Sequence, residues 1–130
     1  MFKHLLNLAK AATRTLSEPA SRSPEWPRVE RLYRKLFPAC AACGSSKRPQ
    51  VHHMKSFSQH PELELDPTNL ITLCMDNDCH LYIGHLDNFK ITNTFVVEDS
   101  AKVLSTPKEN LVNVIKEIVI ERKASPVISP

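Results

Sequence analysis

Cys40-Ala41-Ala42-Cys43-Gly44, then Val51-His52-His53, then Asn69-Leu70-Ile71-Thr72-Leu73-Cys74, then Cys79-His80: these fragments decide how the chain folds. Two short turns, Cys40-x2-Cys43 and Cys74-x4-Cys79, present two thiols each and use every cysteine of the sequence. Four soft ligands on two turns suit a tetrahedral structural Zn2+ site. Disulfides are the alternative, but Phe2-Lys3-His4-Leu5-Leu6-Asn7-Leu8 lacks the apolar run of a secretory leader and so predicts a reducing compartment. With four thiolates on one metal, the histidines stay free for other chemistry.

A chain of 130 residues with 42% hydrophobic content predicts one domain with tails, its core adequate but not generous. A metal staple supplies what such a core lacks. No stretch approaches the roughly 20 apolar residues that span a bilayer, so no membrane partner is expected. Net charge is only +3, yet residues 1–50 carry ten Lys/Arg against three Asp/Glu, and residues 51–100 carry two against eight. The basic half is the candidate face for a polyanion. Arg28, Arg31, Arg34 and Lys35 recur at helical spacing, and Lys47 and Arg48 follow the first cysteine pair; a solvated helix face is the alternative reading.

Along the chain, residues 3–16 predict an amphipathic helix and residues 17–23 a linker. Ser23-Pro24-Glu25 reads as a helix start, with the helix running to about Phe37 and stopped by Pro38. Gly44 is expected at positive φ in the first cysteine turn. Residues 50–54 and 70–73 predict strands separated by a polar loop with Pro61 and Pro67, and a helix begins near Asp78, bent or ended by Gly84. Thr94-Phe95-Val96-Val97 predicts an edge strand. Thr106-Pro107-Lys108-Glu109 reads as a capping box before a helix whose apolar stripe is Leu111, Val112, Ile115, Ile118 and Val119.

A strand with His-His, a loop with Asn, a strand and a helix with His, clipped by two cysteine pairs, resembles the HNH (His-Asn-His) endonucleases over about residues 24–90. The likeness is strongest to small HNH proteins of tailed phages and prophages, in which a Pro-Glu-Leu-Glu-Leu-Asp-Pro stretch, here Pro61–Pro67, precedes the Asn. The expected fold is α+β: a small ββα-metal domain stapled by the four-cysteine zinc site, with flanking N- and C-terminal helices. The expected divisions are 1–23 as N-terminal segment and linker, 24–95 as nuclease domain, 96–123 as helical extension and 124–130 as disordered tail.

The resemblance further implies roles. His53 matches the general base, and an imidazole of ordinary pKa can take a proton at neutral pH. His52 and His80 match ligands of a catalytic divalent cation such as Mg2+, Mn2+ or Ni2+, the imidazoles favouring the latter two. Asn69 matches the residue that ties the loop after the first strand and orients His53. Family members often carry another ligand four residues after the helix His, but His85 follows His80 by five, about 140° away on an ideal α-helix. His85 is thus a candidate third ligand, with a solvent-facing or structural histidine as the alternative. His60 reads as a turn cap or a DNA contact. Neighbouring strand residues point to opposite faces, so a distorted strand end is expected if His52 and His53 are to converge.

The implied partner is DNA, nicked or cut with low sequence specificity. The phage likeness implies a role beside the packaging motor, with terminase and portal proteins, in the cytoplasm of a bacterial host cell; oligomeric state stays open. The alternative function is a non-catalytic zinc-ribbon nucleic-acid-binding module. A third, a colicin-like toxin nuclease, lacks any visible delivery or neutralising segment.

Overall fold

The computed structural model describes residues 21–124. Its spine is an antiparallel hairpin, β1 (Pro49–His53) paired with β2 (Leu70–Cys74) from Pro49↔Cys74 to His53↔Leu70. The connecting loop is shaped by two 3-10 turns, Pro61–Leu63 and Pro67–Asn69. Each begins with a proline, whose preset φ suits a first turn where no amide donor is needed. Asp66 starts the second by accepting the Thr68 amide and hydroxyl at 2.9 and 2.7 Å.

Helix α1 (Trp26–Leu36) covers one face of the hairpin. Trp26, Val29, Leu32, Tyr33 and Leu36 recur at three- and four-residue spacing and meet Val51, Leu65 and Leu70. Each fully buried aliphatic side chain here contributes about 1.5–3 kcal/mol. The Tyr33 hydroxyl also donates to the Leu70 carbonyl at 2.8 Å, and the Thr72 hydroxyl to the Phe37 carbonyl at 2.7 Å. The helix starts slightly later than Ser23-Pro24 suggested. Ser23 receives the Trp26 amide on its carbonyl and the Glu25 amide on its hydroxyl, and Pro27 occupies the first turn. Pro38 follows the end, as expected.

The other face is the cysteine side. Cys40, Ala42, Leu73, Cys74, Cys79, Ile83 and Leu86 form one cluster with Val96, Val103 and Ile118 of two C-terminal helices, α2 (Val96–Leu104) and α3 (Leu111–Ala124). The α+β class and the flanking helices are therefore as expected.

Three local expectations fail. Residues 94–97 are not an edge strand: Asn93 Oδ1 accepts the Phe95 amide at 2.9 Å, turning the chain into α2. Strand preference of a Thr-Phe-Val-Val run is weak where no strand edge waits to pair with it. Thr106 caps nothing, because its hydroxyl is spent on the Lys102 carbonyl at 2.6 Å, and Pro107 leads a 3-10 turn, Lys108–Asn110, that precedes α3. On α3 the inward face is Leu111, Val114, Ile115 and Ile118, while Val112 is exposed.

The end of the supposed linker is anchored, since the Ser23 amide donates to Glu64 at 3.0 Å and Arg22 pairs with Glu64 at 3.5 Å. Ala124, assigned to the tail, closes α3. The 3–16 helix and the tail beyond Ala124 lie outside the described residues. No helix among the described residues is long and apolar enough to cross a membrane.

Candidate active site and metal centres

The four cysteines are free of disulfides, and their sulfurs all lie within 4.8 Å of one another, Cys43 and Cys74 at 3.5 Å. Tetrahedral Zn–S bonds of about 2.3 Å place sulfurs roughly 3.8 Å apart, so the cluster fits that ion. The Cys43 amide points at the Cys40 sulfur (3.5 Å), the Asn77 amide at Cys74 (3.4 Å) and the Asn77 side chain at Cys43 (3.4 Å). Gly44, at φ 78°, allows the first of these turns. The Cys79 thiol, donating to Cys40, brings the Cys40 pKa down to about 4 and raises its own. Burial raises Cys74. Four crowded thiols are thus poised to exchange protons for one cation.

The last cysteine opens a short helix of unusual pitch. Residues His80–Gly84 form a π-helical turn, flanked by Cys79 and His85, and the His85 amide reaches the Leu81 and Tyr82 carbonyls. Widening from the α-helical pitch brings the residue five positions on back towards the first, which a 3.6-residue turn cannot do. His85 Nε2 consequently lies 3.3 Å from His80 Nε2, and His52 Nδ1 reaches His80 Nε2 at 3.1 Å. The 140° separation expected of an α-helix does not arise. Gly84 has a packing role: a Cβ there would stand 3.1 Å from His52 Cε1 and 3.2 Å from both His52 Nδ1 and His80 Cδ2.

The hydrogen bonds outside this cluster define its protons. His80 Nδ1–H donates to Gln50 Oε1 at 2.7 Å and His85 Nδ1–H to the Ile91 carbonyl at 2.7 Å. Both Nε2 atoms therefore present lone pairs inward, and three ring nitrogens meet with at most one hydrogen, that of His52, among them. His52 Nε2 is buried without a partner. Burial first, then the neighbouring imidazoles, depresses His52 strongly and His80 to about 4; burial also lowers His85. The rings are neutral at pH 7. Tetrahedral M–N bonds of 2.0–2.1 Å put nitrogens roughly 3.3–3.4 Å apart, close to what is observed. A divalent cation fits this donor set.

His53 follows the regular pleat. The pairing continues through His53↔Leu70 and on to the Met54 amide and Asn69 carbonyl, so the expected distortion of the strand end is absent. The two rings diverge, His52 to the π-turn and His53 to Trp26 of α1, whose ring centroid is 4.5 Å away. They meet again only as walls of one open cleft of about 510 Å³, shared with His80, His85, Arg22, Phe57 and Phe89. His53 Nε2–H donates to the Glu64 carbonyl at 2.9 Å, leaving Nδ1 as the acceptor. Burial lowers its pKa, opposed by that carbonyl and assisted by Arg22. The Asn69 side chain accepts the Lys55 amide at 2.8 Å and donates to the Lys55 carbonyl at 3.1 Å, clasping the chain two residues beyond His53.

Of the candidate DNA-binding residues, Arg28, Arg31, Arg34 and Lys35 line a groove along α1 with Pro38 and Pro49. Arg34 borders the histidine cleft as well and pairs with Glu30 at 2.8 Å. Lys47 and Arg48 stand apart on the turn before β1, where Arg48 pairs with Asp76 at 3.7 Å. His60 is on the loop, 3.2 Å from Glu62. Sequence reasoning missed Gln50, Glu64, Trp26 and Arg22. Gln50 had a signal, lying two residues before His52 and so on the same strand face; the others are brought in by the fold.

Residues 40–85 match the family model of the HNH endonucleases. No curated protein and no solved structure matches the chain. The HNH match runs from the first clip cysteine to the third clustered histidine and supports a nuclease-type, metal-using hydrolase with DNA as substrate.

Proposed function

We propose that the protein is a metal-dependent DNA endonuclease that hydrolyses phosphodiester bonds, nicking or cleaving with low sequence specificity. The observation that carries this reading is the pair of inward lone pairs on His80 and His85, 3.3 Å apart, in the cleft that also holds His53. In it, Cys40, Cys43, Cys74 and Cys79 hold a structural Zn2+, and His52, His80 and His85 hold a catalytic Mg2+, Mn2+ or Ni2+. Held by these three imidazoles, a divalent cation would supply Lewis-acid charge at the scissile phosphate. His53 Nδ1 takes the proton of the attacking water as the new P–O bond forms and the P–O3′ bond breaks. The Glu64 carbonyl holds the ring's other N–H and favours the imidazolium. Asn69 keeps the following loop, and with it His53, in place.

Arg28, Arg31, Arg34 and Lys35, with Lys47 and Arg48 on the neighbouring turn, hold the DNA backbone. The nuclease unit spans 24–95, between the segment 1–23 and the helices of 96–124. On resemblance alone, the setting is a phage packaging motor, with terminase and portal partners, in the bacterial host cytoplasm.

Supercoiled plasmid incubated with Mg2+, Mn2+ or Ni2+ tests the reading. Cation-dependent nicking is expected; His53→Ala slows it about 10²–10⁴-fold and keeps the cation, whereas His80→Ala loses both. Intact plasmid with folded, zinc-loaded protein in every metal overturns the enzyme and favours a zinc-ribbon binding module.

A further inference from the structure

The π-turn that brings His80 and His85 together is held from outside the region that matches the HNH model. Asn93 donates its backbone amide to the Gly84 carbonyl at 3.0 Å and its side-chain Nδ2 to the Ile83 carbonyl at 2.8 Å. These are two carbonyls at the end of the π-turn, where the chain stops being helical and its acceptors need partners. The same Nδ2 donates to Asp99 Oδ2 at 2.9 Å, and Arg122 clamps Asp99 with Nε on Oδ2 at 3.0 Å and Nη2 on Oδ1 at 2.8 Å. Asn93 and Asp99 are 1% and 2% exposed, so the bonds that join them to each other and to the turn are shielded from water.

Two further features show that the turn is imposed rather than locally preferred. Leu86 and Asp87, directly after it, adopt φ of 53° and 68°, a conformation that L-residues keep only where their surroundings require it. His85 Nδ1–H is fixed by the carbonyl of Ile91, two residues before Asn93, so the segment after the turn is pinned beside both a ligand candidate and the helix end.

We propose that Asn93, locked by Asp99 and Arg122, is a positioning residue for the histidine cluster: the C-terminal helices set the π-pitch on which His80 and His85 converge. The proposal rests on the reading of that cluster as a divalent-cation site. Removal of Asn93 lets the turn relax toward α-helical pitch, which swings His85 away from His80 and leaves zinc at the clip.

The test uses the full-length, zinc-loaded protein. Ni2+ titration by calorimetry is paired with nitrogen-15 spectra of the histidine side chains recorded without added Ni2+. Asn93→Ala is expected to weaken Ni2+ binding about 10–100-fold, as loss of a group supporting a metal ligand does, and to erase the single Nδ1–H tautomer of His85. Arg122→Gln, one bond further out, shifts both readouts in the same direction by less and covers the case in which Asn93→Ala does not fold. Val103→Ala cuts the core of the same helix pair without touching the bonds; it lowers Tm and leaves Ni2+ affinity and the tautomer unchanged. Wild-type affinity and an intact His85 tautomer in a folded Asn93→Ala or Arg122→Gln, or equal losses in Val103→Ala, overturn the positioning role. A wild-type protein that binds no Ni2+ while Asn93→Ala still loses the His85 tautomer overturns the cation-site reading instead.

Discussion

The four-cysteine clip and the three-histidine cluster share one element, the turn that runs from Cys79 through His80 to His85, yet they treat their donors oppositely. Around the cysteines, amides point inward at sulfur, and Leu73, Ile83 and Ile118 close the shell. Around the histidines, the ring hydrogens point outward to Gln50 and Ile91, the lone pairs point inward, and one side opens on a cleft. A closed shell of thiolates suits a cation that holds the fold, and a half-open set of imidazoles suits one that works on a substrate. Because both use one turn, the first site presents the second.

The largest expected effect tests the closed half. Structural zinc contributes about 10–16 kcal/mol in small finger peptides, comparable with the whole stability of a domain at about 5–15 kcal/mol. Chelation or Cys43→Ser should therefore unfold the protein and abolish the histidine cluster with it. Metal analysis of protein purified without added zinc should give one equivalent; less than half an equivalent with retained circular dichroism would break the comparison.

Gly84→Ala probes the shared turn at the point where an added methyl meets the histidine rings first. The new methyl meets the His52 and His80 rings at 3.1–3.2 Å. Overpacking of this kind costs about 1–3 kcal/mol, which outweighs the roughly 1 kcal/mol that Ala gains over Gly in a helix. Lower Tm and weaker Ni2+ binding with unchanged zinc content are expected. A variant as tight as wild type for Ni2+ would show the close approach to be unnecessary.

The smallest effect concerns the DNA reach of the open half. Neutralising Arg28, Arg31 and Lys35, which border one groove, should lower the slope of log affinity against log salt by about 0.9 for each phosphate that the protein no longer neutralises. Arg48→Gln should change it less, since Arg48 is engaged with Asp76. Binding at several salt concentrations on two unrelated duplexes measures this, and an unchanged slope would make the α1 face a solvated one.

Much of the architecture was legible because it is local or stoichiometric. Two cysteine pairs with no cysteine left over, Gly44 in the first turn, strands expected at 50–54 and 70–73 that form within a residue of those bounds, and Pro38 after α1 are properties of neighbours along the chain. Where competing hydrogen bonds decided, the reading failed. Thr106 preferred the Lys102 carbonyl to a capping role, and Asn93 captured the Phe95 amide where a strand was expected.

By itself the sequence determined which donors exist and which of them lie within a turn of each other: four thiols on two turns, His52 beside His53, His80 beside Cys79. Tertiary structure alone decided that His85 meets His80. The choice between α and π pitch is a difference of one residue in hydrogen-bond register, too small for propensity to settle. Here it is accompanied by the positive φ of Leu86 and Asp87, by Asn93 on the turn's last carbonyls and by the fit of a bare Gly84 against His52; the last two join residues that lie apart along the sequence and meet only once the chain has folded.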